Sequence, residues 1–497
     1  MLKLVIMKKF ILSVIFSFLI IGLLVSCSKN LDISEDIKLP TKYNVSILAK
    51  KSSTKVVADG GKASFSTSEK VWVYNESTGK TDRNYLTPAG NAVTTTLVGE
   101  LSGTYSVNDQ IKLLYNSGMR GVVDNSGMRS GVVDYNGQNG KIQNVKDAGV
   151  ASVSIKEVED ASVKTTDAVF TNLQSIFKLK FVDGSTTLRV KSVSITSVSN
   201  KLQQSYDIIS NTTTYGSITV SDYNAMTDVF VALRFSPNPS DIIIFNVIDE
   251  NGKVYTGTKK APELGFTIGK FYSSTIQVTS HLFSISSSES VYFSPGNLTA
   301  DYSFKIPQYS YSYNADDETT LSWIQGSIIH DGFSNSGNTN YVNCVSGWYV
   351  LSKQEWEYLL FERQIDGGAV SPYYMITTDS NNGGTFGMLI PHDDAKIDDV
   401  VSLTGDGLNN VDLSVYTAKG FVFLPAAGAA SYESGIVASG EIGMYWSRTN
   451  DEGDDSSLYS LEFEALYLDV GPTKYLVDVE ILANIETDYY TTRLVHK

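Results

Sequence analysis

The residue whose type and setting most clearly imply chemistry is Cys27. It closes Leu24-Val25-Ser26-Cys27, at the end of an apolar run from Phe10 to Val25 relieved only by Ser13, Ser17 and Gly22 and preceded by Lys3, Lys8 and Lys9. A cysteine thiolate there can take up a diacylglyceryl group, and cleavage before it frees an amine for a further acyl chain. Two or three chains hold a protein at a membrane where one does not. The apolar run is shorter than the ~20 residues a helix needs to span a bilayer, which suits processing rather than stop-transfer. Residues 1–26 are therefore expected to be a lipoprotein signal peptide and Cys27 the lipidated residue. Met1 and Met7 both remain as starts, since Met7-Lys8-Lys9-Phe10 alone makes a compact signal.

Three other sets of residues could carry chemistry. Asn450, Asp451, Asp454 and Asp455 lie in one short acidic run, and side-chain oxygens in such a loop can supply the six to eight ligands that calcium takes. The spacing is not that of an EF-hand, and a solvated turn reads the same way. No other cofactor is expected. His281, His330, His392 and His496 are far apart in the chain and show no paired zinc spacing, and no Gly-x-Ser-x-Gly elbow, P-loop or dinucleotide fingerprint occurs. Of the tryptophans, Trp348, Trp356 and Trp446 sit where burial is the ordinary use of a large ring. Trp323, near a loop carrying Tyr309, Tyr311 and Tyr313, is the one placed for display. Trp323 and Tyr311 are accordingly the candidate ligand-binding pair. The chain is expected not to be an enzyme.

Charge and cysteine usage narrow the partners. Loss of residues 1–26 removes three lysines and no acid, taking the formal charge from −15 to −18. An acidic exterior argues against nucleic acid or an anionic membrane face as partner. Cys344 is the sole remaining thiol, so no internal disulfide is available and stability must come from packed cores. Cys344 itself is expected to be a buried free cysteine.

The elements that must position these residues are short strands. Tyr43, Val45 and Ile47 alternate with polar neighbours, as do Val193 and Ile195, and Ile242–Ile248 meets Val254-Tyr255 across Asp249-Glu250-Asn251-Gly252, a hairpin signal. A Ser-rich stretch between Thr279 and Ser290 marks a boundary. Asn116–Asp124 is repeated as Asn125–Asp134, a tandem duplication that suits a lengthened surface loop or hairpin. One helix is expected at Lys353–Arg363. Ser352 and Glu355 make its capping box, Leu351 and Trp356 its staple, and Trp356, Leu359 and Leu360 its apolar face.

Phe65, Glu69-Lys70-Val71-Trp72-Val73-Tyr74, Gly137-Gln138-Asn139-Gly140, Phe170-Thr171-Asn172-Leu173 and Ile268-Gly269-Lys270-Phe271-Tyr272 follow an order that resembles the fimbrillin-like family of surface lipoproteins. The resemblance covers residues 41–280 and implies two successive β-sandwich lobes. Val291–Leu298, Gly347–Leu351 with Glu355–Leu360, Phe423–Gly428, Gly443–Ser447 and Arg493-Leu494-Val495 are similar to the major-paralogue domain of such lipoproteins, with a C-type-lectin-like or formylglycine-generating-enzyme-like fold over 289–497. Arg448 departs from the small hydroxyl residue that often follows that Tyr-Trp-Ser. Cys344 lies ahead of the region where formylglycine-generating enzymes keep reactive cysteines; an enzyme of that fold is one alternative.

The expected fold is thus mainly β, with fimbrillin-like β-sandwich lobes followed by an α+β lectin-like domain. The organisation reads as signal peptide 1–26, tether 27–40, sandwich region 41–280, linker 281–288 and C-terminal domain 289–497. Ser28 after the cysteine, and acidic Asp32, Glu35 and Asp36, resemble the sorting signals of outer-membrane lipoproteins exposed on the cell surface. The resemblance implies an adhesin or pilus tip or anchor component. Its partners would be the membrane through the lipid, a glycan or host surface ligand, and pilus subunits. A glycan-capturing lipoprotein paired with an outer-membrane transporter remains an alternative. In this family, stalk subunits are cut after an early Arg, whereas the first Arg here is Arg83.

Overall fold

The structure is a computed structural model. It describes residues 42–51, 64–116, 131–159, 161–236, 238–239, 241–299, 302, 304–306, 308, 323–325, 342, 345–380, 383–403, 408–431, 435–437, 440–451, 454–467, 474–485 and 489–497. The fold is mainly β, as the alternating pattern requires.

The first unit is built on strand Tyr43–Lys51, whose inward residues Val45, Ile47, Ala49 and Lys51 alternate with exposed ones. A period of two in burial is what a half-buried strand must show. This strand pairs antiparallel with Thr94–Leu101 on one side and parallel with Ser162–Thr165 and Ala168–Asn172 on the other. Those pairings close an eight-stranded sheet on itself around a core that includes Ile47, Val71, Leu97, Leu113 and Phe170.

The second unit places strand Ser175–Asp183 between Val229–Leu233 and the parallel strand Phe271–Gln277. A facing sheet runs Ile218–Met226, Val190–Ser197, Ile242–Asp249, Val254–Lys260, Thr279–Ser280. Phe177, Leu179 and Phe181 from one sheet meet Val193, Ile195 and Phe245 from the other. The hairpin expected at Asp249–Gly252 is present, with Ile248 opposite Val254. The duplicated segment lies largely outside the described residues. Its flanks, Gln110–Asn116 and Val132–Asp134, pair with strands of different sheets, so the two do not form a hairpin with each other.

The remaining chain holds a small sheet in which Leu494–His496 lies between Ser290–Phe293 and Tyr349–Val350. It also holds a meander of Ile442–Asp451, Asp454–Tyr467 and Lys474–Ile485, and short helices at Lys353–Glu357, Ile397–Val400 and Leu413–Thr417. Two expectations need correction. The stretch read as a linker packs instead: Phe283 and Ile285 are buried in one cluster with Trp356 and Val495, because two large apolar side chains within three residues favour burial over a solvated spacer. The helix opens on the expected capping box but widens to a π turn over Tyr358–Glu362. Arg363 then turns inward, donating to Asp393 Oδ1 at 3.2 Å and to the Pro372 carbonyl at 3.1 Å.

Candidate functional site

The residues nominated from sequence fall in different places. Cys27, Tyr311 and Cys344 lie outside the described residues. Trp323 begins strand Trp323–Gln325, which pairs antiparallel with Tyr489–Thr491, Trp323 opposite Thr491. Asn450 and Asp451 end one strand and Asp454 and Asp455 begin the next, with Asp451 opposite Asp454, so the acidic run is the tip of a hairpin. Asn450 pairs with Leu458 beyond a register shift in that ladder. Among the described residues no three His, Cys, Asp or Glu side chains form a group able to hold a metal ion.

The histidines are not all isolated. The rings of His281 and His392 lie 4.2 Å apart, centroid to centroid, with His392 edge-on to Phe421 at 5.5 Å. Burial, and secondarily its neighbour His392, brings His281 down to about 4. His392 is also held below the ordinary value by burial, against the opposing pull of Asp394, Asp399 and Asp393. The two neutral rings touch each other and His392 touches Phe421, and among the described residues no three His, Cys, Asp or Glu side chains form a metal-holding group there.

Sequence reasoning also missed a polar cleft in the first unit. Strand Lys80–Pro88, between Val71–Asn75 and Thr94–Leu101, buries Asp82. Its carboxylate accepts bonds from the backbone N–H groups of Asn84, Ser102 and Gly103 at 2.9, 2.9 and 2.7 Å and from the Tyr105 hydroxyl at 2.7 Å. That fixes the turn at Ser102–Tyr105 opposite the strand. Burial, and then the Asp82 hydrogen bond, drives the Tyr105 hydroxyl far above its ordinary value, so it stays a donor. Between strand and turn lies a cavity of about 530 Å³ lined by Lys42, Lys80, Arg83, Asn75, Asn84 and Thr104. The volume falls within the ~300–1,000 Å³ of small-molecule sites. Hydroxyl, amide and cationic groups can bind a polyhydroxylated or anionic ligand by hydrogen bonds, and the Ser102 hydroxyl in this lining donates to Asp82 Oδ1 at 3.2 Å. The triplet Asp82-Arg83-Asn84 is the sequence signal, too short to stand out without its partner turn.

A second buried cluster closes the other side of the first core. Lys51 Nζ donates to Glu69 Oε1 at 2.8 Å and to the Ser64 carbonyl at 3.2 Å, and lies 4.1 Å from the Tyr115 ring centroid. Phe65 and Glu69, two of the residues carrying the fimbrillin-like resemblance, thus serve to receive a buried ammonium.

No protein-family profile and no curated protein matches the chain. Solved structures that resemble it include the tip fimbrial protein Mfa3 from Porphyromonas gingivalis with C-terminal truncation, at 11% identity and TM-score 0.29, covering 48% of this chain and 98% of that one. A fimbrial assembly protein from Parabacteroides distasonis is similar at 12% identity and TM-score 0.27, covering 51% of this chain and 94% of that one. At these values neither likeness carries a functional conclusion to this chain.

Proposed function

We propose that the chain is a surface-exposed, non-enzymatic lipoprotein that works in adhesion, as a pilus tip or anchor component or a stand-alone adhesin, and not as a repeating stalk subunit. The observation that supports this most directly is the seating of strand Leu494–His496. It is hydrogen-bonded on both sides, Val495 standing opposite both Phe293 and Tyr349. A subunit that polymerises by strand donation needs a strand whose edges are open to a neighbour. Strand Tyr43–Lys51 is likewise paired on both edges, and a cut after Arg83, within Lys80–Pro88, would sever it from its sheet.

The lipid on Cys27 would fix one end at the outer membrane, and the polar cleft around Asp82 offers a surface suited to a glycan. The acidic hairpin tip at Asn450–Asp455 would be the place for calcium, and Trp323 with Tyr311 a second ligand contact. The deciding experiment is fractionation and surface proteolysis of cells carrying the full chain and Cys27→Ala, followed by a glycan panel on the released protein. Membrane attachment lost only in the variant, with glycan binding retained, is the expected result. Heat-resistant ladders of the chain on cells would overturn the non-stalk reading.

A further inference from the structure

The connection from Val254–Lys260 to Phe271–Gln277 brings Pro262 and Phe266 against residues of both sheets of the second sandwich. A cavity of about 170 Å³ opens there between Phe177 and Leu179 of one sheet and Ile243 and Phe245 of the other. Its size matches the ~150 Å³ apolar cavities that accept a benzene ring. Besides Phe245, four aromatic side chains that touch one another frame it: Phe177 stacks on Tyr272 at 4.9 Å, and Phe266 meets Phe235 at 4.6 Å and Phe177 at 5.1 Å. Phe266 comes from the connecting segment and is only half-buried, while Leu264, two residues earlier, is 89% exposed. The connecting segment therefore presents carbon both to the cavity and to solvent.

The mouth has one sign of charge. Lys259 and Lys260, at the exposed end of their strand, line the cavity, no carboxylate does, and neither ammonium has an ion-pair partner among the described residues. Ile242, opposite Lys260 in the ladder, is an exposed apolar neighbour. Carbon walls with cations at the opening suit a molecule with an apolar tail and an anionic head. We propose that this cavity of the second sandwich binds a free small carboxylate, its single aromatic ring or short acyl chain among Phe177, Phe235, Phe266 and Tyr272 and its carboxylate at Lys259 and Lys260. The site does not depend on surface display or on the polar cleft.

Isothermal titration of the mature full chain carrying Cys27→Ala, which needs no detergent, tests it with 4-phenylbutyrate and octanoate as probes and octylamine, 1-octanol and acetate as controls. One-to-one binding of both long carboxylates is expected, with acetate and octylamine silent. Lys259→Gln with Lys260→Gln should weaken carboxylate binding by about three- to tenfold, as two solvent-exposed charge contacts allow, and leave 1-octanol unchanged. Ile243→Phe, which grows into the cavity, should abolish binding while the unfolding midpoint shows the chain still folded. Silence of both carboxylates at millimolar concentration, octylamine binding as well as octanoate, or binding that survives a folded Ile243→Phe overturns the proposal. Should that variant fail to fold, unchanged carboxylate affinity in the double lysine variant does the same.

Discussion

The imidazoles of His281 and His392 lie tilted against each other, 4.2 Å between centroids, where the segment leaving the second sandwich meets the C-terminal core. Both are kept neutral by burial, and His281 reaches about 4. A histidine whose folded value lies below its unfolded one binds fewer protons folded than unfolded between those values. Stability should therefore fall as pH drops from about 6.5 towards 4, by on the order of 3 kcal/mol from His281. Urea unfolding at several pH values checks this. His281→Phe, which keeps a ring against His392, should flatten the slope across that window. An unchanged slope would remove the pair as its source.

Lys51 makes the opposite case, a charge kept inside because it is well received. Its ammonium is held by Glu69 and the Ser64 carbonyl beneath the Tyr115 ring. Lys51→Met should cost about 3 kcal/mol, because it leaves the Glu69 carboxylate partly buried and unmatched. Adding Glu69→Gln should restore part of that loss. Chemical denaturation of the two variants measures it, and additive losses would show that the two side chains do not act as a pair.

Local chemistry was legible in the sequence and long-range convergence was not. The alternation at Tyr43, Val45 and Ile47, the hairpin at Asp249–Gly252 and the Ser352–Glu355 box each lie within a few residues, where sequence fixes geometry. The same alternation puts Lys51 on the inward face, so its burial follows from a period of two carried three residues beyond Leu48. His281 and His392, the Asp82 cleft and the cavity under Phe266 each join residues separated by whole strands, and no spacing announces such meetings. Arg448 is similar: a departure from the expected hydroxyl residue that only its distant partner explains.

That partner is Glu355. One carboxylate oxygen accepts the Ser352 N–H at 2.6 Å in the capping box, and the other accepts from Arg448 Nη2 at 2.8 Å, so one residue both starts the helix and ties it to strand Ile442–Asp451. Ser352→Ala should cost about 1 kcal/mol, the usual loss of a cap. Glu355→Ala should cost more, about 2 kcal/mol, since it removes both connections and leaves the half-buried guanidinium alone. In a double-mutant cycle with Arg448→Ser, a coupling near 1 kcal/mol is expected. Coupling indistinguishable from zero would mean the ion pair only decorates the surface.

The hairpin tip of the second sandwich reaches the last strand of the chain through a glycine. Gly252 has φ of +89°, and a Cβ there would fall inside the contact radius of the His496 ring, which also packs edge-on to Trp348 at 5.3 Å. Ile248 of the same hairpin shares a buried cluster with Trp348 and Leu494. Gly252→Ala therefore meets two penalties. The left-handed backbone costs about 1 kcal/mol for a residue with a side chain, and the imidazole must leave its place beside the Ser346 carbonyl, 2.9 Å from Nε2. His496→Ala should relieve the second penalty but not the first, so the double variant should be less damaged than the sum of the singles. Urea unfolding followed by tryptophan emission measures the three variants. Because Trp348 lies at this contact, a transition that splits in two on Gly252→Ala would mean the tip is what makes the sandwich and the C-terminal core unfold together.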